Sequence, residues 1–292
     1  MLVEEILSLL GRATRYDRGA FTPLIVAGQK LGCVNAVWSG RLLAFEAALF
    51  EARDGAIVCR LPADPGRLTA ELNAAARRWQ DAGWLNGWRD ERFTAFGRDG
   101  APLFELERAA FRPLGLSSRA VHLNGLCRLA DGEVRMWVGR RSPDKAVDPN
   151  RMDNLVGGGV AAGESLRDAL LREGWEEAGV GADRLEALAP AALLLAERPV
   201  QRGLHREWLY GYDLWLPDGV TPVNQDGEVA EYRLLPLDEV ERLLAAERFM
   251  LDAALVACDC LARLGYWGEH NARVEAALAA VRHPVDADAH AL

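Results

Sequence analysis

The sequence predicts a mixed α/β protein, with a small α+β unit leading into a larger one in which helices flank a mixed sheet. Three observations predict it. Half of the 292 residues are hydrophobic, enough for a sizeable core. The character of the chain changes around residues 110–120, and beyond that point stretches with strand and helix periodicity follow one another. The boundary falls near residue 115, giving an N-terminal accessory unit over 1–115 and a second unit over 116–292.

Taken in order, MLVEEILSLLGRATRYD spaces Leu2, Ile6, Leu9 and Leu10 on one face and predicts a helix over 2–16. TPLIVAG and AIVCRL read as short strands, and a second helix is predicted over 65–82. Trp79, Trp84 and Trp88 fall together there, and packing explains them more simply than a stacking platform for a ligand base. FRPLGLSSR, Phe111 to Arg119, reads as a connection. AVHLNGLCRL and EVRMWVGRR, around the turn ADG, read as a β-hairpin whose second strand ends in Arg140 and Arg141. The polar loop SPDKAVDPNRMDN then leads to LVGGGVAAGE. A helix follows, opened by Ser165 with Asp168 three residues on as a capping-box start, and closed by Gly179. AALLLAERPV and REWLYGYDLWL are two further strands, NQDGEVAEYRLLPL another, and helices around 237–247, 251–264 and 270–282 complete the chain.

A net charge of −9 gives no general attraction to nucleic acid or to an anionic membrane. The five cysteines, Cys33, Cys59, Cys127, Cys258 and Cys260, are scattered without a C-x-x-C pair, which suits free thiols in a reducing compartment. Glu4 and Glu5 stand where a signal peptide wants positive charge, and no run approaches eighteen apolar residues. The expectation is a soluble, cytoplasmic protein with neither nucleic acid nor membrane as partner. A homodimer is left open.

The chemistry concentrates in REGWEEAGV, where Glu173, Glu176 and Glu177 share one helix face. At a separation of ~5 Å and an effective dielectric of ~20, each pair repels by roughly 3 kcal/mol before screening. Either the three splay into water, or a divalent cation compensates them; the triplet alone leaves both readings open.

The residues before it extend the pattern. From Gly158, Glu164 follows after six positions and Arg172-Glu173 after seven intervening residues. This spacing resembles the Nudix box, G-x5-E-x7-R-E-U-x-E-E-x-G-U with U a bulky apolar residue, and every fixed Gly, Glu and Arg is present. A chance match in a chain of this composition has a probability on the order of 10⁻⁵. The resemblance implies an α/β/α sandwich that hydrolyses diphosphate linkages with Mg²⁺, Mn²⁺ serving as substitute. It implies that Glu173, Glu176 and Glu177 bind metal with the Gly158 carbonyl, that Arg172 positions these carboxylates, and that Glu164 supports the network. Glu173 is also placed to act as, or to orient, the base for the attacking water, with Glu228 and Glu231 as base candidates outside the box. Gly174 departs from the pattern where an apolar residue belongs, at a cost of roughly 1 kcal/mol of helix propensity, with Trp175 beside it as the candidate to restore packing.

For the substrate, a small-molecule diphosphate, Arg140 and Arg141 are the expected contacts. Lys145, Arg198, Arg202, His205 and Arg206 are weaker candidates, for which solvated charge is the competing role, and His122 could line the pocket or be a packed strand histidine. FTPLIVAGQKLGCV, GWRDERFTAF, MDNLVGGGVAAGES and NQDGEV together look like the Nudix proteins related to the part fused to thiamine pyrophosphokinase in some fungi. That likeness implies thiamine diphosphate or a damaged form of it as substrate; a nucleoside diphosphate derivative is the other expectation. A catalytically silent Nudix-like ligand-binding or sensor module is the alternative to an enzyme.

Overall fold

The computed structural model describes residues 1–145 and 147–285. Helix α1 (Val3–Thr14) buries Ile6, Leu9 and Leu10 as its spacing predicts, with Val3 buried in place of the expected Leu2, which is only half-buried, and packs them against the C-terminal helices. The backbone N–H of Leu2, just before α1, donates to Glu241 at 2.8 Å. The first helix is therefore packed with the last part of the chain.

Strands β1 (Phe21–Val26) and β2 (Gln29–Asn35) form a hairpin, and β3 (Phe50–Arg53) and β4 (Ala56–Cys59) another, joined in the order β2-β1-β4-β3 with β1 and β4 parallel. Both hairpins turn on a residue and a glycine at positive φ, Ala27-Gly28 and Asp54-Gly55, the two-residue geometry that matches strand twist. Helix α2 (Ala36–Phe45) is capped by Asn35, and α3 (Pro65–Asp81) by Asp64 with proline at its first position. Trp79 is fully buried, edge-on to Trp38 at 5.2 Å, while Trp84 and Trp88 lie partly buried against the same core. These tryptophans pack. A two-stranded sheet, β5 (Arg92–Phe96) with β6 (Pro102–Glu107), completes the unit.

The connection contains a helical turn, α4 (Phe111–Leu114), closed by Gly115 at φ 59°. A Cβ on Gly115 would stand 2.1 Å from the Cys33 carbonyl oxygen, so this glycine lets the turn press against β2.

The second unit has β7 (Ser117–Arg128), β8 (Val134–Arg141), β9 (Met152–Asp153), β10 (Val156–Gly159), helix α5 (Leu166–Ala178) and the short α6 (Ala182–Leu185). Then follow β11 (Ala192–Val200), β12 (Gly203–Leu216), β13 (Val229–Pro236), helices α7 (Leu237–Ala245), α8 (Leu251–Arg263) and α9 (Asn271–Leu278), and β14 (Arg282–His283). The sheet runs β13-β8-β7-β12-β11-β14, with β10 added to β7 and β9 to β8; β7 and β12 pair in parallel within an otherwise antiparallel set. Its faces are covered differently. Val121, Leu123, Tyr212 and Leu214 pack under α5, whereas Leu126, Met136, Leu194 and Leu209 pack under α1, α7, α8 and α9. The result is a mixed sheet between two helical layers, with a smaller α+β unit at its side. Among the described residues no helix is long and apolar enough to cross a membrane, and all five cysteines are free.

Candidate active site

Helix α5 starts as its sequence demands. The Ser165 hydroxyl accepts from the Asp168 N–H at 3.1 Å while the Asp168 carboxylate accepts from the Ser165 N–H at 3.3 Å, and Gly179 ends the helix at φ 64°. The Tyr232 hydroxyl donates at 2.9 Å to both the Glu177 and Leu155 carbonyls, fixing the helix end to the loop before β10.

The glycines of β10 let α5 come close. A Cβ on Gly158 would stand 1.9 Å from the Glu173 carboxyl carbon, so only glycine leaves room for that carboxylate against the strand. At Gly174 a Cβ would meet the Leu185 side chain at 2.4 Å. Leu185, from α6, fills the space of the missing apolar residue. Trp175 does not take up that packing, because it is 57% exposed.

One guanidinium ties the box together. Arg172 donates to Glu164 at 2.8 and 3.0 Å, to Glu173 at 2.7 Å, to Glu176 at 3.2 Å and to the Gly159 carbonyl at 3.2 Å. Side-chain bonding to Glu164 holds Arg172 firmly protonated against its partial burial. Glu177 lies deeper, accepting from the Gly157 N–H at 2.8 Å. Burial pushes its carboxyl up to about 8, opposed by the Lys145 ammonium 3.6 Å away. Burial also raises Glu173, against the pull of Arg172, and lowers Lys145. Lys145 pairs in addition with Glu228. Five carboxylates, Glu164, Glu173, Glu176, Glu177 and Glu228, are thus shared by two cations, Arg172 and Lys145.

This donor set fits a hard divalent cation. It offers clustered carboxylate oxygens, one buried carboxylate whose ionisation is disfavoured without added positive charge, and a lysine already drawn in to supply some of that charge.

A cavity of about 490 Å³ opens beside the box, lined by Glu173, Glu176 and Gly157–Gly159 and by residues of the N-terminal unit, among them Phe93 and Phe111. Lys145, His122, Arg141 and Glu228 also reach it; Arg140 and Glu231 are not in its lining and bind each other at 3.0 Å. Arg141 holds Asp153 at 2.6 Å and the Val147 carbonyl, and His122 lies 2.9 Å from the Asn154 side-chain oxygen. Arg198 and Arg206 are spent on internal carboxylates, Asp252 and Glu197, whereas Arg202 lines the cavity.

Sequence reasoning missed Arg89, Arg108, Arg112, Glu207 and Asp252, which line the same cavity. Arg108 and Arg112 stand four apart across the interdomain turn, a spacing that does not distinguish a cavity wall from solvated charge. His205, Glu207 and Asp252 bring ligand-type atoms within 4.8 Å of one another. Arg198 holds Asp252 with two hydrogen bonds, Arg112 donates to His205 Nδ1 at 3.1 Å and the Ser118 hydroxyl donates to Glu207 at 2.6 Å, while His205 Nε2 faces Asp252 at 3.2 Å and Glu207 at 3.8 Å.

Comparison with known proteins agrees with this geometry. The family described as NUDIX domain matches residues 122–254, and the Domain of unknown function (DUF4743) matches residues 5–118. "Nudix hydrolase 24, chloroplastic" of Arabidopsis thaliana is 32% identical over 254 residues, covering 85% of this chain and 68% of the relative. "Nudix hydrolase 20, chloroplastic" of the same plant is 31% identical over 265 residues, covering 85% and 69%. A solved structure of a protein from Deinococcus radiodurans, 26% identical, covers 58% of this chain and 99% of that one with a TM-score of 0.44. With the spacing of its box complete and its relatives aligned across both units, this chain belongs to the Nudix hydrolase family and is a pyrophosphohydrolase.

Proposed function

We propose that this protein is a Mg²⁺-dependent hydrolase that cleaves the phosphoanhydride of a small organic diphosphate in the cavity between its two units. The observation that carries this reading is the cluster of box carboxylates, with Glu177 buried beside Glu173, Glu177 3.6 Å from Lys145 and Glu173 2.7 Å from Arg172.

In this reading Glu173, Glu176 and Glu177, with the Gly158 carbonyl, would hold the cation, Mn²⁺ substituting for Mg²⁺. When bound, it supplies charge neutralisation for the phosphates and acidifies a water. Arg172 keeps Glu173 and Glu176 aimed at one place, and Glu164, bonded twice to Arg172, keeps Arg172 there. Of the base candidates, Glu173 and Glu228 line the cavity and can take a proton from water within it; Glu231 is occupied by Arg140. Arg140 and Arg141 stay the phosphate contacts of this reading; Arg141 lines the cavity with Lys145 beside it, and Arg140, bonded to Glu231, would have to exchange that partner for phosphate.

Of the N-terminal unit, residues 1–115, the part that lines the cavity, between Gly87 and Arg112, serves as the cover that holds the organic group. Thiamine diphosphate or a damaged form of it, and nucleoside diphosphate derivatives, are the substrates to test first. Five free thiols suit the reducing cytoplasm that we assign to it.

The test is release of phosphate or monophosphate from a diphosphate panel with Mg²⁺ or Mn²⁺, with Glu177→Gln as the comparison. We expect the variant to lose at least about a hundredfold in kcat, as removal of a buried charged partner at such a site does. Equal turnover by both proteins would refute the assignment.

A further inference from the structure

The cavity has a second charged wall that hydrolysis of the anhydride does not use. Arg89, Arg112 and Arg202 line it, and none of the three makes an ion pair among the described residues. Arg112 donates to a neutral acceptor, Nδ1 of the buried His205, at 3.1 Å, and Arg202 to the Asn86 carbonyl at 3.1 Å. Those bonds hold the side chains without cancelling their charge.

Acidic groups on this wall are otherwise engaged. Glu91 is paired with Arg108, Asp252 with Arg198, and Glu207 accepts from Ser118 and faces His205 at 3.8 Å. Phe93 and Phe111, edge to face at 5.4 Å, put apolar surface beside the arginines. Burial holds Arg202 below its ordinary pKa, with Arg112 and Arg108 adding to the effect, as expected of a guanidinium crowded by others; Arg89, in the same lining, is exposed. Such crowding is unfavourable in the empty cavity and favourable only toward an anion, which guanidinium forks bind as phosphate or carboxylate.

We propose that this wall is a second anion site within the same cavity: it takes a phosphate or carboxylate carried by the organic group of the substrate and disfavours a substrate whose organic group is cationic. The inference rests on the hydrolytic reading above and narrows its substrate class to diphosphates that carry a further acidic group. A thiazolium ring would set a fixed positive charge against three arginines, so thiamine diphosphate ranks below acidic diphosphates of similar size.

The experiment uses the full chain and matched pairs. UDP-glucuronate against UDP-glucose reads a carboxylate, NADPH against NADH a phosphate, and CDP-choline against CDP-glycerol a cation. We expect wild-type kcat/KM to favour the acidic member at least about tenfold in one of the first two pairs and to disfavour CDP-choline. In Arg202→Gln and Arg89→Gln these ratios should fall to within about twofold of one. In parallel, inorganic phosphate is titrated into the metal-free protein by calorimetry, where the box carboxylates repel it. Binding should weaken about tenfold in Arg202→Gln and be unchanged in Arg53→Gln, an exposed arginine outside the cavity lining. Preference ratios near one in the wild type, ratios kept by the arginine variants, or phosphate binding indifferent to Arg202 would each overturn the proposal. If no diphosphate is cleaved at all, the hydrolytic reading fails, and the phosphate titration still decides the anion site.

Discussion

Gly158 shows how a backbone position can control a carboxylate. Its missing side chain is the space in which the Glu173 carboxyl lies, and that carboxyl sits at the flexible end of its chain. Gly158→Ala should therefore move Glu173 rather than unfold the protein: we expect kcat to fall at least about tenfold while the metal-free melting temperature changes by no more than about 3 °C. Activity retained within twofold would show that Glu173 has no need of its place over β10. Asp252 gives the acid limb of stability. Burial alone would raise its carboxyl, but His205 and Arg198 beside it hold it well below the ordinary carboxylate value. A carboxyl depressed on folding contributes stability that is present above its unfolded pKa near 3.8 and is lost as pH falls through the lower folded value. Asp252→Asn should then cost about 3–5 kcal/mol at neutral pH, since Arg198 loses its buried counter-charge, and should flatten the stability loss below pH ~4. Urea unfolding followed from pH 2.5 to 7 checks both parts.

At the scale of the element, α5 was legible in the sequence because its signals are local. Ser165 and Asp168 lie within one turn of each other, Gly179 carries the left-handed cap, and the box spacing puts Glu173, Glu176 and Glu177 on one side. Gly174 was not legible, because the residue that fills its space comes from α6, past the turn, and Trp175 next to it points to solvent. The helix gives up propensity at Gly174 to seat Leu185. Gly174→Ala gains roughly 1 kcal/mol of propensity but drives a methyl to 2.4 Å from Leu185, and overpacking of this kind costs about 1–3 kcal/mol. We expect net destabilisation of Gly174→Ala alone and at least partial recovery when Leu185→Ala is added, read as a negative coupling in a double-mutant cycle by urea denaturation. Additive effects would place the conflict elsewhere. Helix α2 and the β5–β6 hairpin escaped the sequence reading for a related reason. AVWSGRLLAF buries only Trp38 and Leu42, so its apolar residues trace no clear face.

At the scale of the whole molecule, the pairing of α1 with the C-terminal helices has no local signature. The hydrogen bond from Leu2 to Glu241 spans 239 positions, and Glu241 also accepts from the Trp267 indole at 2.9 Å. The periodicity of residues 2–16 announces a helix with one apolar face but cannot say what that face meets. Its meeting place matters to the site, because α1 completes the layer under which Leu126, Met136 and Leu194 are buried on the face of the sheet opposite α5. A chain cut at residue 116 would keep the whole Nudix box and lose this cover. Val3, Ile6, Leu9 and Leu10 are each at most 6% exposed, and at about 1.5–3 kcal/mol per buried side chain their removal withdraws roughly 6–12 kcal/mol as an upper bound. That is comparable with the total stability of about 5–15 kcal/mol that a domain commands. Residues 116–292 alone should therefore fail to melt cooperatively, and fusing residues 1–16 ahead of them through a flexible linker should restore a single transition by calorimetry. A sharp transition in the shorter piece, within about 5 °C of the full chain, would mean that the sheet closes without α1 and that the two ends of the sequence are independent after all.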